Sequence, residues 1–232
     1  MQVFVIATPI GNLQDITLRA LETLKTANVI VCEDTRVTHK LLSFHQIPSK
    51  PLIRLKENPN WVRAFAERNA ASNVALVTDG GTPVISDPGS RFIAMLLQEF
   101  PTARIIPIPG PSAVIAALSI SGLATKGFTF LGFLGRSESK IVKEISRALE
   151  SKMAVVFYES PHRLLTTIAI IAKHFPQTQV VACRELTKIY EEALRGKPQD
   201  VLAQLSSKKE ILGEITVVLE TIQTIQSDEN RN

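Results

Sequence analysis

Short apolar runs alternate along this chain with stretches whose apolar positions fall three and four residues apart. The first kind reads as buried strand and the second as amphipathic helix. In the first half, strands are predicted at 3–7, 29–32, 74–78 and 103–108, with a short irregular or strand-like piece at 47–55. Helices are predicted at 16–25, 37–44 and 61–71, with a further helix carrying the apolar segment 92–97. Asp15 caps the first helix, Asp34 or Thr35 the second, and Asp87-Pro88 opens the fourth. In the third, Trp61, Phe65 and Ala66 face a core, which makes Trp61 a packing residue rather than a base-stacking one. The repeated strand–helix alternation argues a mainly parallel sheet with helices on both faces.

The pattern changes between Ser112 and Gly122. We place a domain boundary there, giving an N-terminal α/β domain at 1–112, a second at 113–222 and a polar tail at 223–232. Strands are predicted at 128–134, 153–158, 179–183, 191–195 and 215–219, and helices at 113–121, 143–149, 164–174 and 200–206. Ser160-Pro161 is a helix start. The segment 135–140 is polar and reads as mobile, with Arg136 and Lys140 exposed, and the helix after it has basic outer positions.

The connections after the early strands carry more punctuation than a simple turn requires. The richest is Asp79-Gly80-Gly81-Thr82-Pro83-Val84-Ile85-Ser86-Asp87-Pro88-Gly89. Thr8-Pro9-Ile10-Gly11 follows the first strand, and Pro109-Gly110-Pro111-Ser112 follows the strand ending at Ile108. Glycines permit positive φ and close approach of a ligand, and ligands of open α/β sheets bind beyond the carboxyl ends of the strands. No Gly-x-Gly-x-x-Gly is present. Phosphate-bearing cofactors want that glycine-rich cradle, so these loops suit a ligand without phosphates.

Composition narrows the picture modestly. With 45% hydrophobic residues the chain can bury a sizeable core. A formal charge of +4 permits an RNA partner without demanding one. Cys32 and Cys183 lie in apolar runs and read as buried free thiols, and the four histidines show no metal-ligand spacing, so no metal is expected. The apolar N-terminal run is too short for a signal peptide and no window approaches a membrane span, which predicts a soluble, cytoplasmic protein.

Taken in order, Thr8-Pro9-Ile10-Gly11-Asn12-Leu13, Glu33-Asp34-Thr35-Arg36, the Asp79 loop, the stretch 107–112, Phe157-Tyr158-Glu159-Ser160-Pro161-His162-Arg163, Ala182-Cys183-Arg184-Glu185-Leu186-Thr187-Lys188 and Gly213-Glu214 resemble the tetrapyrrole methylase superfamily, and its ribosomal-RNA-modifying members in particular. The resemblance spans roughly residues 3–220. It implies two αβα domains, the first with a mainly parallel sheet and the second with a mixed one. It also implies S-adenosyl-L-methionine bound in a cleft between the domains, a homodimer, and 2′-O-methylation of a cytidine ribose in small-subunit ribosomal RNA. By motif match the donor would meet Thr8, Pro9, Gly11, Asp79, Gly80, Thr82, Val84, Ile85, Pro109 and Ser112. The second domain would add Phe133, Tyr158, Ala182, Arg184, Glu214 and Thr216. The chain departs from the family pattern at Lys56-Glu57-Asn58-Pro59-Asn60 and at 135–140, two segments expected on the RNA side.

A ribose hydroxyl is a weak nucleophile, so a positioned base should assist it. Glu159, Glu185 and Lys188 are the candidates, with Asp34 facing them. Arg36, Arg163 and Arg184 are candidates to hold RNA phosphates. His162 titrates in the right range but also suits a local structural role. Glu159 and Arg163, four apart at a helix start, equally suit a surface ion pair. Two other readings stay open: carbon methylation of a tetrapyrrole, and a catalytically silent donor-binding factor of ribosome assembly.

Overall fold

The computed structural model describes residues 1–123 and 126–221, so the tail at 223–232 lies outside the described residues. The chain divides into two units, Met1–Ser112 and Ala113–Asn232.

In the first unit, β1 (Gln2–Ile6), β2 (Val29–Cys32), β3 (Leu52–Arg54), β4 (Asn73–Val77) and β5 (Arg104–Ile108) form one sheet in the order β3-β2-β4-β1-β5. Every pairing in it is parallel. Helices α1 (Leu18–Thr26), α2 (Thr35–Phe44), α3 (Pro59–Arg68) and α4 (Ser90–Glu99) cover it. Successive residues of β2 and β4 enter opposite cores. Ile30, Cys32, Ala75 and Val77 join Ala20, Leu24 and Leu41. Val29, Val31, Val74 and Leu76 join Val62, Phe65, Phe92 and Leu96. A strand buried on both faces must be apolar throughout, which is why these runs stood out. Trp61 stacks on Phe65 with ring centroids 5.2 Å apart and tilts against Phe92, so it does pack.

Two helix caps in this unit differ from expectation. Thr17, not Asp15, caps α1, its hydroxyl accepting the Ala20 N–H at 3.1 Å. The amide of Asp15 is held in a turn by the Asn12 carbonyl. The helix α4 starts after Gly89 at φ 127°, and Asp87 is not its cap. The Gly89 N–H donates to Glu57 Oε1 at 3.0 Å, so a carboxylate distant in sequence satisfies it.

In the second unit, β6 (Phe128–Phe133), β7 (Ala154–Glu159), β8 (Thr178–Arg184), β9 (Glu192–Gly196) and β10 (Ile215–Thr221) run in the order β6-β7-β10-β8-β9. The sheet is mixed, with β6 parallel to β7 and the other pairs antiparallel. Helices α6 (Glu138–Leu149), α7 (Pro161–His174) and α8 (Pro198–Ser206) contribute Ile141, Ile145, Leu164, Ile168, Ile171 and Val201 to a core shared with Phe157, Val180, Val217 and Leu219. The helix α5 (Ala113–Ser121) packs on β10.

The segment 135–140 is a built structure and not a loose loop. Ser137 caps α6, which already begins at Glu138. The Gly135 N–H donates to Glu144 Oε2 at 3.0 Å. Arg136 and Lys140 are exposed. Both cysteines are buried and free, and burial pushes the Cys183 thiol up to about 11. No helix among the described residues is long and apolar enough to cross a membrane.

Candidate functional site

The order β4-β1-β5 sets three carboxyl ends side by side, and their loops knit together. Thr8 and Gly81 exchange both backbone hydrogen bonds at 2.9 Å, a small antiparallel bridge beyond the parallel sheet. The Thr8 hydroxyl donates to the Thr78 carbonyl at 3.1 Å. The Thr82 hydroxyl donates to the Pro111 carbonyl at 3.1 Å, joining the loops after β4 and β5. The fit is close, because a β-carbon on Gly80 would lie 3.1 Å from the Pro9 carbonyl oxygen and one on Gly110 3.1 Å from Ala7 Cβ. Thr8, Pro9, Asp79, Gly80, Thr82, Pro109 and Ser112 therefore belong to one loop cluster, with Gly11 and Ile85 exposed at its margin. Val84 at φ 79° and Ser86 at φ 64° hold backbone that β-branched and small polar residues seldom adopt, strain that accumulates at ligand clamps. Among the described residues, the buried Thr78 Oγ1 at the root of the cluster has no hydrogen-bond partner.

The end of β2 joins this cluster on its other side. The Asp34 N–H donates to Asp79 Oδ1 at 3.1 Å, and the Asp79 N–H to Glu33 Oε2 at 3.4 Å. Asp34 caps α2 and binds the Arg36 guanidinium, with its shortest contact at 2.6 Å, which holds its carboxyl far below the usual carboxylate range. Burial pushes the Asp79 carboxyl up, and the Asp34 charge adds to that. Arg36 is thus committed to Asp34, although its side chain is 89% exposed.

The second unit revises the list of candidate bases. Glu159 is 2% exposed, and its carboxylate accepts from the Ser160 N–H at 2.8 Å, the Thr167 hydroxyl at 2.6 Å and Arg163 at 3.2 Å. It is neither a surface ion pair nor an available base. The same Arg163 nitrogen donates to the Leu134 and Gly135 carbonyls, both at 3.0 Å. Arg163 therefore holds the turn after β6 through this one nitrogen, with its side chain 30% exposed. Arg184 is likewise engaged, by Glu192 and the Leu212 carbonyl. His162 is exposed.

Glu185, Lys188 and Glu214 converge at the ends of β8 and β10. Lys188 Nζ lies 2.9 Å from Glu185 Oε1 and 3.1 Å from Glu214 Oε2, and the Glu214 N–H donates to Glu185 Oε1 at 3.0 Å. Burial pulls the Lys188 ammonium down, but the two carboxylates outweigh it and raise its pKa above the ordinary lysine value. A base must first lose its proton, and this raised pKa opposes that role for Lys188. Burial pushes Glu185 up, but Lys188 and the Glu214 N–H outweigh it, leaving the carboxyl below its ordinary value. Glu185 at φ 52° and Thr187 at φ 66° bend this loop into the left-handed region. Across the strands, Thr216 lies between Tyr158 and Cys183, and Val217 pairs with Ala182. Tyr158 meets Phe130 and Phe133 with centroids 5.0 and 5.6 Å apart, and Phe133 is 60% exposed.

Four participants were missed in the sequence: Glu57, Thr78, Glu144 and Thr167. Glu57, Glu144 and Thr167 act through partners brought near by the fold, and the eight-residue separation of Thr167 from Glu159 runs from the end of β7 into α7, so no single-element periodicity links them.

The family model described as tetrapyrrole (corrin/porphyrin) methylases matches residues 2–202. A Hydrogenobaculum protein called ribosomal RNA small subunit methyltransferase I is 40% identical, covering 98% of this chain and 99% of its own length. Its namesake from Bacillus subtilis is 35% identical, covering 97% and 77% respectively. Among solved structures, a diphthine synthase superposes with a TM-score of 0.70 at 16% identity, covering 95% of this chain and 90% of its own. A cobalt precorrin-4 methyltransferase of cobalamin biosynthesis gives 0.67 at 17%, covering 95% and 94%. At such identities the structures share the fold alone.

Proposed function

The chain belongs to the tetrapyrrole methylase family, and on that premise we propose that it methylates small-subunit ribosomal RNA with S-adenosyl-L-methionine, at the 2′-oxygen of a cytidine ribose. The observation that carries the reading is the Hydrogenobaculum relative, similar over essentially both whole chains and bearing the name of a small-subunit ribosomal RNA methyltransferase. The reading includes a homodimer acting in the cytoplasm.

The residues of the first unit fit the donor. Glu33, Asp34 and Asp79 bring three carboxylates to the strand ends against the Arg36 and Arg54 charges, a balance that favours a sulfonium cation. The unpartnered Thr78 hydroxyl and the absence of a phosphate-type glycine loop point the same way. Thr8, Pro9, Gly11, Asp79, Gly80, Thr82, Val84, Ile85, Pro109 and Ser112 would hold the donor. When bound, the donor supplies an electrophilic methyl group on positive sulfur.

What remains for the protein is alignment, since in-line displacement needs oxygen, carbon and sulfur held in one geometry. In the second unit, Glu185 keeps its charge at neutral pH, and Lys188 and Glu214 fix the position of its Oε1. It is the carboxylate we assign to accept the ribose hydroxyl's hydrogen bond, with Lys188 and Glu214 as positioning residues. Glu159 and Arg163 support the site indirectly, by anchoring the turn after Phe133.

The test is mass mapping of small-subunit ribosomal RNA from cells with and without the gene, paired with transfer by purified protein to subunits from the deletion strain. One cytidine should lose a single ribose methyl in the deletion and regain it in vitro. An unchanged map, or methylation of a precorrin instead, would overturn the reading.

A further inference from the structure

We propose that Arg136, Lys140, Lys143 and Arg147 form a track along α6 for the phosphate backbone of the RNA. All four side chains are exposed. Lys140, Lys143 and Arg147, three and four residues apart, stack on one face of α6 roughly 10 Å long at 1.5 Å per residue, and Arg136 lies just before the Ser137 cap. Ile141, Ile145 and Ala148 occupy the buried face of the same helix.

Elsewhere in this unit five cations are ion-paired, while among the described residues Lys152, Arg195, Lys197 and Lys209 are not. Arg163 meets Glu159, Lys173 meets Glu138, Arg184 and Lys208 meet Glu192, and Lys188 meets Glu185. Among the described residues, none of the four on the track makes an ion pair. The acidic residues of α6 are turned elsewhere, Glu138 to Lys173 and His174, and Glu144 to the Gly135 N–H. Like charges at this spacing repel and destabilise a helix, so the row has a cost that an anionic partner would remove.

The track is also anchored. Its first residue, Arg136, follows Gly135, whose carbonyl is held by Arg163 and whose amide is held by Glu144. Arg163 is itself fixed by the buried Glu159. Charge on a rigid helix face positions a nucleic acid through its phosphates without reading its sequence.

This inference rests on the RNA reading above, and one experiment separates the two. Binding of a small-subunit ribosomal RNA fragment is titrated against salt for wild type, the Lys140→Gln/Lys143→Gln double variant and a Lys173→Gln control. Removing two phosphate contacts should reduce the slope of log affinity against log salt by about 1.4 for single-stranded RNA. Affinity at low salt should fall at least about tenfold, with RNA KM raised and kcat and donor affinity unchanged, while Lys173→Gln behaves as wild type. An unchanged slope in an active enzyme, or a loss equal at all salt concentrations, overturns the track and spares the activity. A loss confined to assembled subunits assigns the face to a ribosomal protein and overturns it too. A wild type that binds RNA through the track but does not methylate small-subunit RNA keeps the track and removes the activity.

Discussion

The carboxylate of Glu185 lies over the bare α-carbon of Gly213: a β-carbon there would overlap its Oε1. Gly213 is also at φ 93°, so a side chain is excluded by backbone and by neighbour alike. Gly213→Ala is therefore expected to displace Glu185 and dismantle its contacts with Lys188 and Glu214. Methyl transfer should fall at least tenfold and the melting temperature by several degrees. Full activity in Gly213→Ala would show that the position of Glu185 does not matter.

Lys188 tests the electrostatics of the same cluster. Its ammonium is among the groups holding Glu185 below the ordinary carboxylate value, and Glu214 would add repulsion once that ammonium is gone. In Lys188→Ala the pKa of Glu185 should rise, so the acid limb of the pH–rate profile moves to higher pH. Were Lys188 the base, the variant would instead be dead at every pH. A profile of unchanged shape and height would remove both residues from the mechanism.

Arg163→Ala strands the buried Glu159 carboxylate with the Ser160 and Thr167 donors but no cation, and frees two carbonyls of the turn after β6. A loss of roughly 2–3 kcal/mol is expected, since an uncompensated buried charge costs more than the pair contributes. Glu159→Gln should cost less, because an amide still accepts from Thr167. Denaturant unfolding of both variants checks the order, and the reverse ranking would contradict this account.

Legibility followed burial and locality. The strands β1, β2 and β4 were readable because a strand covered on both faces has no room for polar residues, and the loops after β1, β4 and β5 because glycine and proline mark them. That these loops close on one another through Thr8–Gly81 and Thr82–Pro111 follows from the strand order, which no local pattern encodes. The same holds for Glu159. Its four-residue spacing to Arg163 was visible, but the burial that removes it as a base depends on Thr167 and on the turn at Leu134. The start of α6 was missed for a different reason: a polar Ser-Glu-Ser-Lys opening resembles a loop, although Ser137 is a good cap.

Glu220 gives a prediction about stability alone. It is 2% exposed on β10, and neither carboxyl oxygen has a hydrogen-bond partner among the described residues. Burial raises its pKa above the ordinary value of 4.5. The unfolded chain releases this proton near the ordinary value while the folded chain retains it to higher pH. Between those two values the folded state binds more protons, so stability falls as pH rises, and the penalty is complete above the folded pKa. Glu220→Gln removes the titration. Its melting temperature should exceed that of wild type at pH 7. The gain should shrink steadily on acidification and vanish below about pH 4, where the wild-type carboxyl is neutral in both states. A gap that is constant with pH, or of opposite sign at pH 7, would mean that Glu220 is ionised and compensated in the folded protein.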